Sequence, residues 1–306
     1  MGKRQKPAIK YILFLVIAIA AFSSFEVVSK PTVFAISPAQ LTFYRFLVGG
    51  CVLLPFAYQQ LKKRNIRLKA KDILLFCGLG FCLVCVSLNL AQYGIQFANA
   101  SMSAVIFSSN PLFTALLAVP ILKERFSLPK LAGLLLGVIG LVVTCLHLFS
   151  GETQIDSGFL AGIVLIFIGM FAFALYTVCS KAMAKRFGGI PVITFSSIFG
   201  SLLMIPILFL LNESGGNPFV FQLSAIVPQF LYLSLIGTAL AYYCYFDAIA
   251  HLNTSLGSMS FFIKPGLASL LCAVILHEPI TPNIIIGIIL IMCGLFLSIH
   301  FEKTRK

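Results

Sequence analysis

The chain has 306 residues, enough for one or two soluble domains by length. Yet 59% are hydrophobic and 10% charged, where a soluble domain carries roughly 25% charged residues. A globule of this size has too little interior for that load, and the mean hydropathy of +1.03 calls for lipid as part of the solvent. The 22 Lys and Arg against 9 Asp and Glu suggest nucleic acid at first sight. A membrane protein with basic cytoplasmic loops has the same balance, so position must decide.

A helix needs about 20 mostly apolar residues to cross the hydrocarbon core. Read between charged or turn-rich breaks, the chain holds ten such runs, near 9–29, 37–58, 72–97, 101–122, 129–149, 157–180, 190–211, 225–250, 255–276 and 282–301. The shortest breaks are Asn99-Ala100-Ser101 and Asn253-Thr254-Ser255; without them the merged runs are too long for one span. The first run follows Lys3, Arg4, Lys6 and Lys10 and resembles a signal peptide at Ala18-Ile19-Ala20. It is read as a span, because the apolar stretch continues past that point and a later segment repeats it. The runs do not alternate as barrel strands would.

With the N-terminus inside, 19 of the 22 basic residues fall in inside segments, and Lys30 alone falls outside. Arg45 and Lys264 lie within spans, and the outside loops carry Glu152, Asp156, Glu213 and Glu278. This asymmetry predicts two cytoplasmic ends, a cell-membrane location and an even number of spans. Basic charge spread over every inside loop is no nucleic-acid face.

The two halves match in sequence. At an offset of 154, Asn99 pairs with Asn253, Ser101 with Ser255, Pro111 with Pro265, Glu124 with Glu278, Gly133 with Gly287 and Gly140 with Gly294. At an offset of 151, Ser29-Lys30 pairs with Ser180-Lys181, Gly49 with Gly200 and Pro55 with Pro206. Each half, 9–149 and 157–301, holds five predicted helices, so the second copy enters the membrane from the opposite side. Inverted repeats mark transporters, since the two copies can exchange conformations about a central site.

The runs Leu112-Phe113-Thr114-Ala115-Leu116-Leu117, Leu122-Lys123-Glu124-Arg125-Phe126 and Leu131-Ala132-Gly133 through Gly140 resemble the EamA-domain signature. The second copy reads Pro265-Gly266-Leu267, Leu276-His277-Glu278-Pro279 and Gly287 through Gly294. Over roughly 9–300 the chain is similar to ten-helix permeases of the drug/metabolite transporter superfamily. That resemblance implies an all-α membrane fold of two inverted five-helix repeats. It implies a non-enzymatic permease that needs no cofactor and exports amino acids, other metabolites or drugs. Protons are the candidate coupling ion. It also implies that the fifth and tenth helices stand away from a cavity surrounded by the other eight.

Ionisable groups within spans are costly and therefore candidates for function. Lys264 sits mid-span directly before Pro265, which cannot donate to the carbonyl of Phe261 and bends its helix. Its repeat mate is Asn110, before Pro111 and after Ser108 and Ser109. Lys264, Asn110, Ser109 and Arg45 are the candidate substrate ligands; the alternative for Lys264 is a structural lysine paired with an internal acid, with water or Glu26 as its acceptor in the empty state. Glu26 and Arg45 lie at similar depth, as a structural pair or as a proton acceptor that frees Arg45 for an anion. Glu26, Arg45 and Lys264 together carry +1, which favours an anionic group such as a carboxylate. Asp247 and His251, four apart, share a helix face and suit either a proton relay or a solvated helix end.

Glu124 and Glu278 end their helices, where a carboxylate opposes the dipole; each is expected to bond to the next helix start, near Ser127 or Thr281. Cys82-x-x-Cys85 has redox spacing but lies in an apolar helix without a second pair, so packing is the expected role. No hydrolase elbow, phosphate loop or metal cluster stands out, which leaves an integral-membrane enzyme without a site. A receptor or scaffold would not require an inverted repeat.

Overall fold

The computed structural model describes residues 9–98, 100–122, 128–146, 157–211, 217, 219–220, 223–251 and 263–303, and these are helical with short connections. The chain runs α1 Ile9–Ser23, α2 Phe25–Ser29, α3 Pro38–Lys63, α4 Ala70–Gly80, α5 Asn89–Phe97, α6 Ala100–Ser108, α7 Asn110–Leu122 and α8 Leu128–Leu146. It continues with α9 Ser157–Phe187, α10 Gly189–Leu211, α11 Leu223–Leu231, α12 Ala241–His251, α13 Ile263–Leu276 and α14 Pro282–Lys303. Wider π-helical stretches, Phe81–Leu88 and Tyr232–Leu240, join α4 to α5 and α11 to α12.

Among the described residues, six helical stretches are long and apolar enough to cross a membrane: Pro38–Lys63, Ala70–Phe97, Ala100–Leu122, Ser157–Phe187, Gly189–Leu211 and Ser224–Ala248. A seventh arises if α1 and its continuation Phe25–Thr32, bent by 40°, count as one. Leu131–Thr144, Ile263–Leu276 and Pro282–Gly294 are shorter apolar helices. The sequence reading placed a span at 255–276; its first part lies outside the described residues, and helix is described from Ile263.

Local chemistry sets the helix limits. α3 starts in a capping box: the Gln40 amide donates to Ser37 Oγ (3.3 Å), the Ser37 amide donates to Gln40 Oε1 (3.1 Å), and Pro38 occupies the first turn. It ends at Asn65, whose φ of 51° turns the chain. α9 stops at Gly188, whose φ of 94° suits only glycine. The exposed faces of α8 and α14 are apolar, with Leu135, Ile139, Val142, Ile285 and Ile289 turned outward; in water this would be an aggregation surface, in lipid it is a solvated one.

Neighbours are α8 with α14, α3 with α10, α6 with α13, α5 with α9, α1 with α12, α7 with α9, and α1 with α13. Exchanging each first-half segment for its sequence counterpart in the second half maps these particular pairs onto one another, whereas α9 packs on α10 and α1 scarcely meets α3. The two π stretches also stand at counterpart positions. Glycines allow the closest crossings. A Cβ on Gly294 would come within 2.5 Å of the Gly133 carbonyl oxygen, and one on Gly140 within 2.8 Å of that of Gly287. Gly80 and Gly200 let α4 and α10 touch backbone to backbone.

At the end where α3 finishes, Arg64 Nη1 donates to the carbonyls of Lys185 (3.4 Å) and Arg186 (3.3 Å). Arg186 also forms a bidentate pair with Asp72, at 2.9 and 3.3 Å. Asp72 accepts from the Lys69 amide as well (2.9 Å), starting α4. Two basic segments far apart in sequence are thereby held at one end of the bundle.

Candidate functional site

The bend after α1 turns α2 inward and buries Glu26, which is 2% exposed. α13 opens with Ile263-Lys264-Pro265, and Lys264 is 7% exposed. Their side chains meet: Lys264 Nζ lies 3.3 Å from Glu26 Oε1. A buried charge keeps its ionised form only beside a counter-charge or hydrogen-bond partner, and here the partners come from elements 238 residues apart. The hydrogen bond described for Glu26 is to Lys264 rather than to Arg45. Depth alone left two buried cations open to one carboxylate; the approach of α2 to α13 selects Lys264.

Arg45, on α3, is buried with its guanidinium carbon 4.4 Å from the centroid of the Phe25 ring and 4.6 Å from that of Phe46. The weakly hydrated planar cation is held by ring faces rather than by a carboxylate. It remains within electrostatic reach of Glu26 and Tyr242.

The helix break near Pro111 falls at Ser109, between α6 and α7. Ser108 and Ser109 spend their hydroxyls on the carbonyls of Ala104 and Ile106, each at 2.6 Å. Asn110 donates to the Met170 carbonyl on α9 (3.3 Å) and accepts from Thr114 (3.2 Å). It thus ties the broken span to α9. Lys264 Nζ is 5.5 Å from the centroid of the Phe107 ring, three residues before Asn110, so the break and the ammonium flank one aromatic ring. Pro265 is buried beside Lys264, and Phe261 lies outside the described residues.

Several buried polar atoms near this centre have no partner: Glu26 Oε2, Arg45 Nε, Ser23 Oγ one turn before Glu26, and Ser269 Oγ on α13. Buried polar atoms are normally satisfied, so a group of them beside an ion pair suits a polar ligand. Aromatic rings close the neighbourhood, with Phe22 5.1 Å from Tyr242 and Phe107 5.8 Å from Phe173.

Asp247 and His251 lie on α12, which packs on α1; the His251 side chain lies outside the described residues. Glu124 also lies outside the described residues. Glu278 corrects the expected bond to the next helix. It accepts from the amides of Ala100 (2.9 Å) and Ser101 (2.8 Å) and from Ser101 Oγ (2.8 Å), capping α6, while Thr281 Oγ1 accepts from Ile284 at the start of α14. A carboxylate completes the exposed amides of a helix start and opposes the dipole where its own helix ends, and α6 offers that start.

Lys30 was missed as anything but a loop charge. Its Nζ donates to the carbonyls of Ile95 (2.6 Å), Gln96 (3.3 Å) and Ala98, the closing turn of α5. Its isolation as the one basic residue outside the spans on its side was the available signal.

The EamA-like transporter family matches this chain twice, at residues 9–146 and 160–300. An uncharacterized transporter of Clostridium kluyveri is 29% identical over 299 residues, covering 97% of this chain and 95% of that protein. The uncharacterized transporter YoaV of Bacillus subtilis is 26% identical, covering 92% and 93%. An S-adenosylmethionine uptake transporter of Rickettsia felis is 24% identical, covering 85% and 92%. A solved crystal structure with 19% identity superposes with a TM-score of 0.67 over 97% of this chain and 98% of that one, a likeness of fold. With apolar helices fit to span a bilayer and the family match extending over nearly the whole length, the chain belongs to the EamA-like transporters of the drug/metabolite transporter type.

Proposed function

We propose that the protein is a secondary transporter that exports a small polar metabolite, an amino acid or related organic anion, by alternating access. Two inverted five-helix repeats, 9–149 and 157–301, rock about a site at mid-membrane, and both termini face the cytoplasm of a cell-membrane protein. The helix pairs that exchange under it, such as α5 with α9 for α1 with α12, and the paired π stretches support the repeat.

The observation that carries the reading of the site is the buried Lys264–Glu26 pair with unpartnered polar atoms around it. A carboxylate on the substrate takes the Lys264 ammonium, with Arg45 adding positive potential. Glu26, released from Lys264, takes the substrate's own cationic group or a proton. Ser109 and Asn110 set the helix break that leaves the backbone open beside the ligand. Asp247 and His251 would carry protons toward the inner end if coupling is to protons. Multidrug efflux is the alternative, favoured by the aromatic walls. The Rickettsia felis relative makes S-adenosylmethionine, with a carboxylate and two cationic groups, a compound to include, and it puts uptake beside export as a direction to test.

Metabolite profiling of media from overexpressing and deletion cells names the substrate. Counterflow in proteoliposomes then tests the site. Lys264→Met keeps the apolar stem and deletes the charge, so it is expected to fold and to lose substrate affinity at least about tenfold. Lys264→Arg should recover little, since a planar fork does not place its charge where an ammonium does. Wild-type affinity in Lys264→Met would remove Lys264 from the site.

A further inference from the structure

Two charges at one end of the bundle grip the junction between α5 and α6 from both sides. Lys30 closes the carbonyl end of α5, and Glu278 closes the amide end of α6. Each charge has the sign its helix dipole favours, and the two also attract each other. The grip joins the end of the first span, the α5–α6 junction and the turn after α13. It lies opposite the basic loops, because α3, about 39 Å long at 1.5 Å per residue, separates Pro38 from Lys63.

Glu26 and Lys30 are linked through α2. The Lys30 amide bonds to the Glu26 carbonyl, so the two side chains leave the same face one helical turn apart. α2 has only five residues and is already bent away from α1. The ion pair to Lys264 and the grip on α5 are thus the two anchors of one short lever.

We propose that Lys30 and Glu278 are the latch of the gate at the end opposite the basic loops, with the Glu26–Lys264 pair as its trigger through α2. This rests on the reading of Glu26 and Lys264 as the transport site. A ligand that takes Lys264 from Glu26 frees one anchor of α2, and the turn that follows draws Lys30 off the carbonyls of Ile95, Gln96 and Ala98. The α5–α6 junction then parts from the α13–α14 turn, and the site opens to that side.

The test is directional accessibility without substrate. A single cysteine replaces the buried Ser23 in a chain freed of native cysteines, and a membrane-impermeant thiol reagent is added from each side of oriented membranes. Lys30→Met and Glu278→Gln are each expected to raise labelling from the latch side about tenfold and to lower it from the other, as a shift between two states requires. Lys30→Arg, which keeps a cation over the carbonyls, should restore most of the closed behaviour. Unchanged labelling, equal increases from both sides, or loss of folding in all three variants would overturn the latch and leave a static tie. The outcome is separable from that of the site: Lys264→Met binding tests Lys264 alone, and the latch is read with no ligand present.

Discussion

At the scale of single residues, the protein holds buried charge in two ways. Lys264 and Glu26 satisfy each other by ion pairing, while Arg45 is carried between Phe25 and Phe46. The first arrangement is vulnerable to removing one member. Glu26→Gln is expected to strand the ammonium at a cost of roughly 3–5 kcal/mol in a dry site, lowering the melting temperature in detergent. Pairing it with Lys264→Met should return part of that loss, and purely additive losses in the double variant would exclude the coupling. The three ionisable residues were legible as candidates because charge inside an apolar run is rare. An acid partner for Lys264 was legible as an option, with Glu26 among the candidates, but the choice depends on which helices approach, and residues 238 apart carry no local signal of contact. Glu278 shows the same limit: its chemistry as a helix cap was readable, but the helix it caps begins at Ala100.

At the scale of elements, small residues decide where helices cross. A Cβ at Gly80 would lie 2.4 Å from the Ser196 carbonyl oxygen, while one at Gly266 meets nothing within 4 Å. Gly80→Ala should therefore push α4 off α10 and cost about 1–3 kcal/mol, as overpacking does. Gly266→Ala, inside α13 with open space around it, should be neutral or stabilise by about 0.5–1 kcal/mol through helix propensity. Thermal unfolding of the two variants side by side checks this; equal effects would mean that contact at α4–α10 is not what holds Gly80. Most elements were visible beforehand as apolar runs ended by Asn, Gly or a basic cluster. The break at Ser109 was not read from the sequence, where 101–122 stood as one continuous span. The widened turns at Phe81–Leu88 and Tyr232–Leu240 were invisible, because an extra residue in a uniformly apolar stretch leaves the pattern unchanged.

For the whole molecule, charge placement and the twofold family match are the sequence signals that bear on topology. The basic segments around Arg64 and Arg186 meet at one end, as loops on the same side of a membrane must. With that end cytoplasmic, a cysteine at Asn65 should resist an impermeant reagent added to intact cells, and one at Asn217 should react. The opposite pattern would reverse the orientation. What the repeat could not foretell is the hold exerted across it, where second-half Glu278 caps a first-half helix. The π-helical stretches have a consequence for how such a chain can change length. Elsewhere in a span, deleting one residue turns everything beyond it by about 100° and carries its buried face into lipid. A π turn already holds one residue more than an α turn needs. Losing a residue between Phe81 and Leu88 therefore lets the helix tighten to regular winding while Asn89 and Gln92 keep facing inward, so each half contains one place where the spanning helix can shed a residue without reversing its inside and outside.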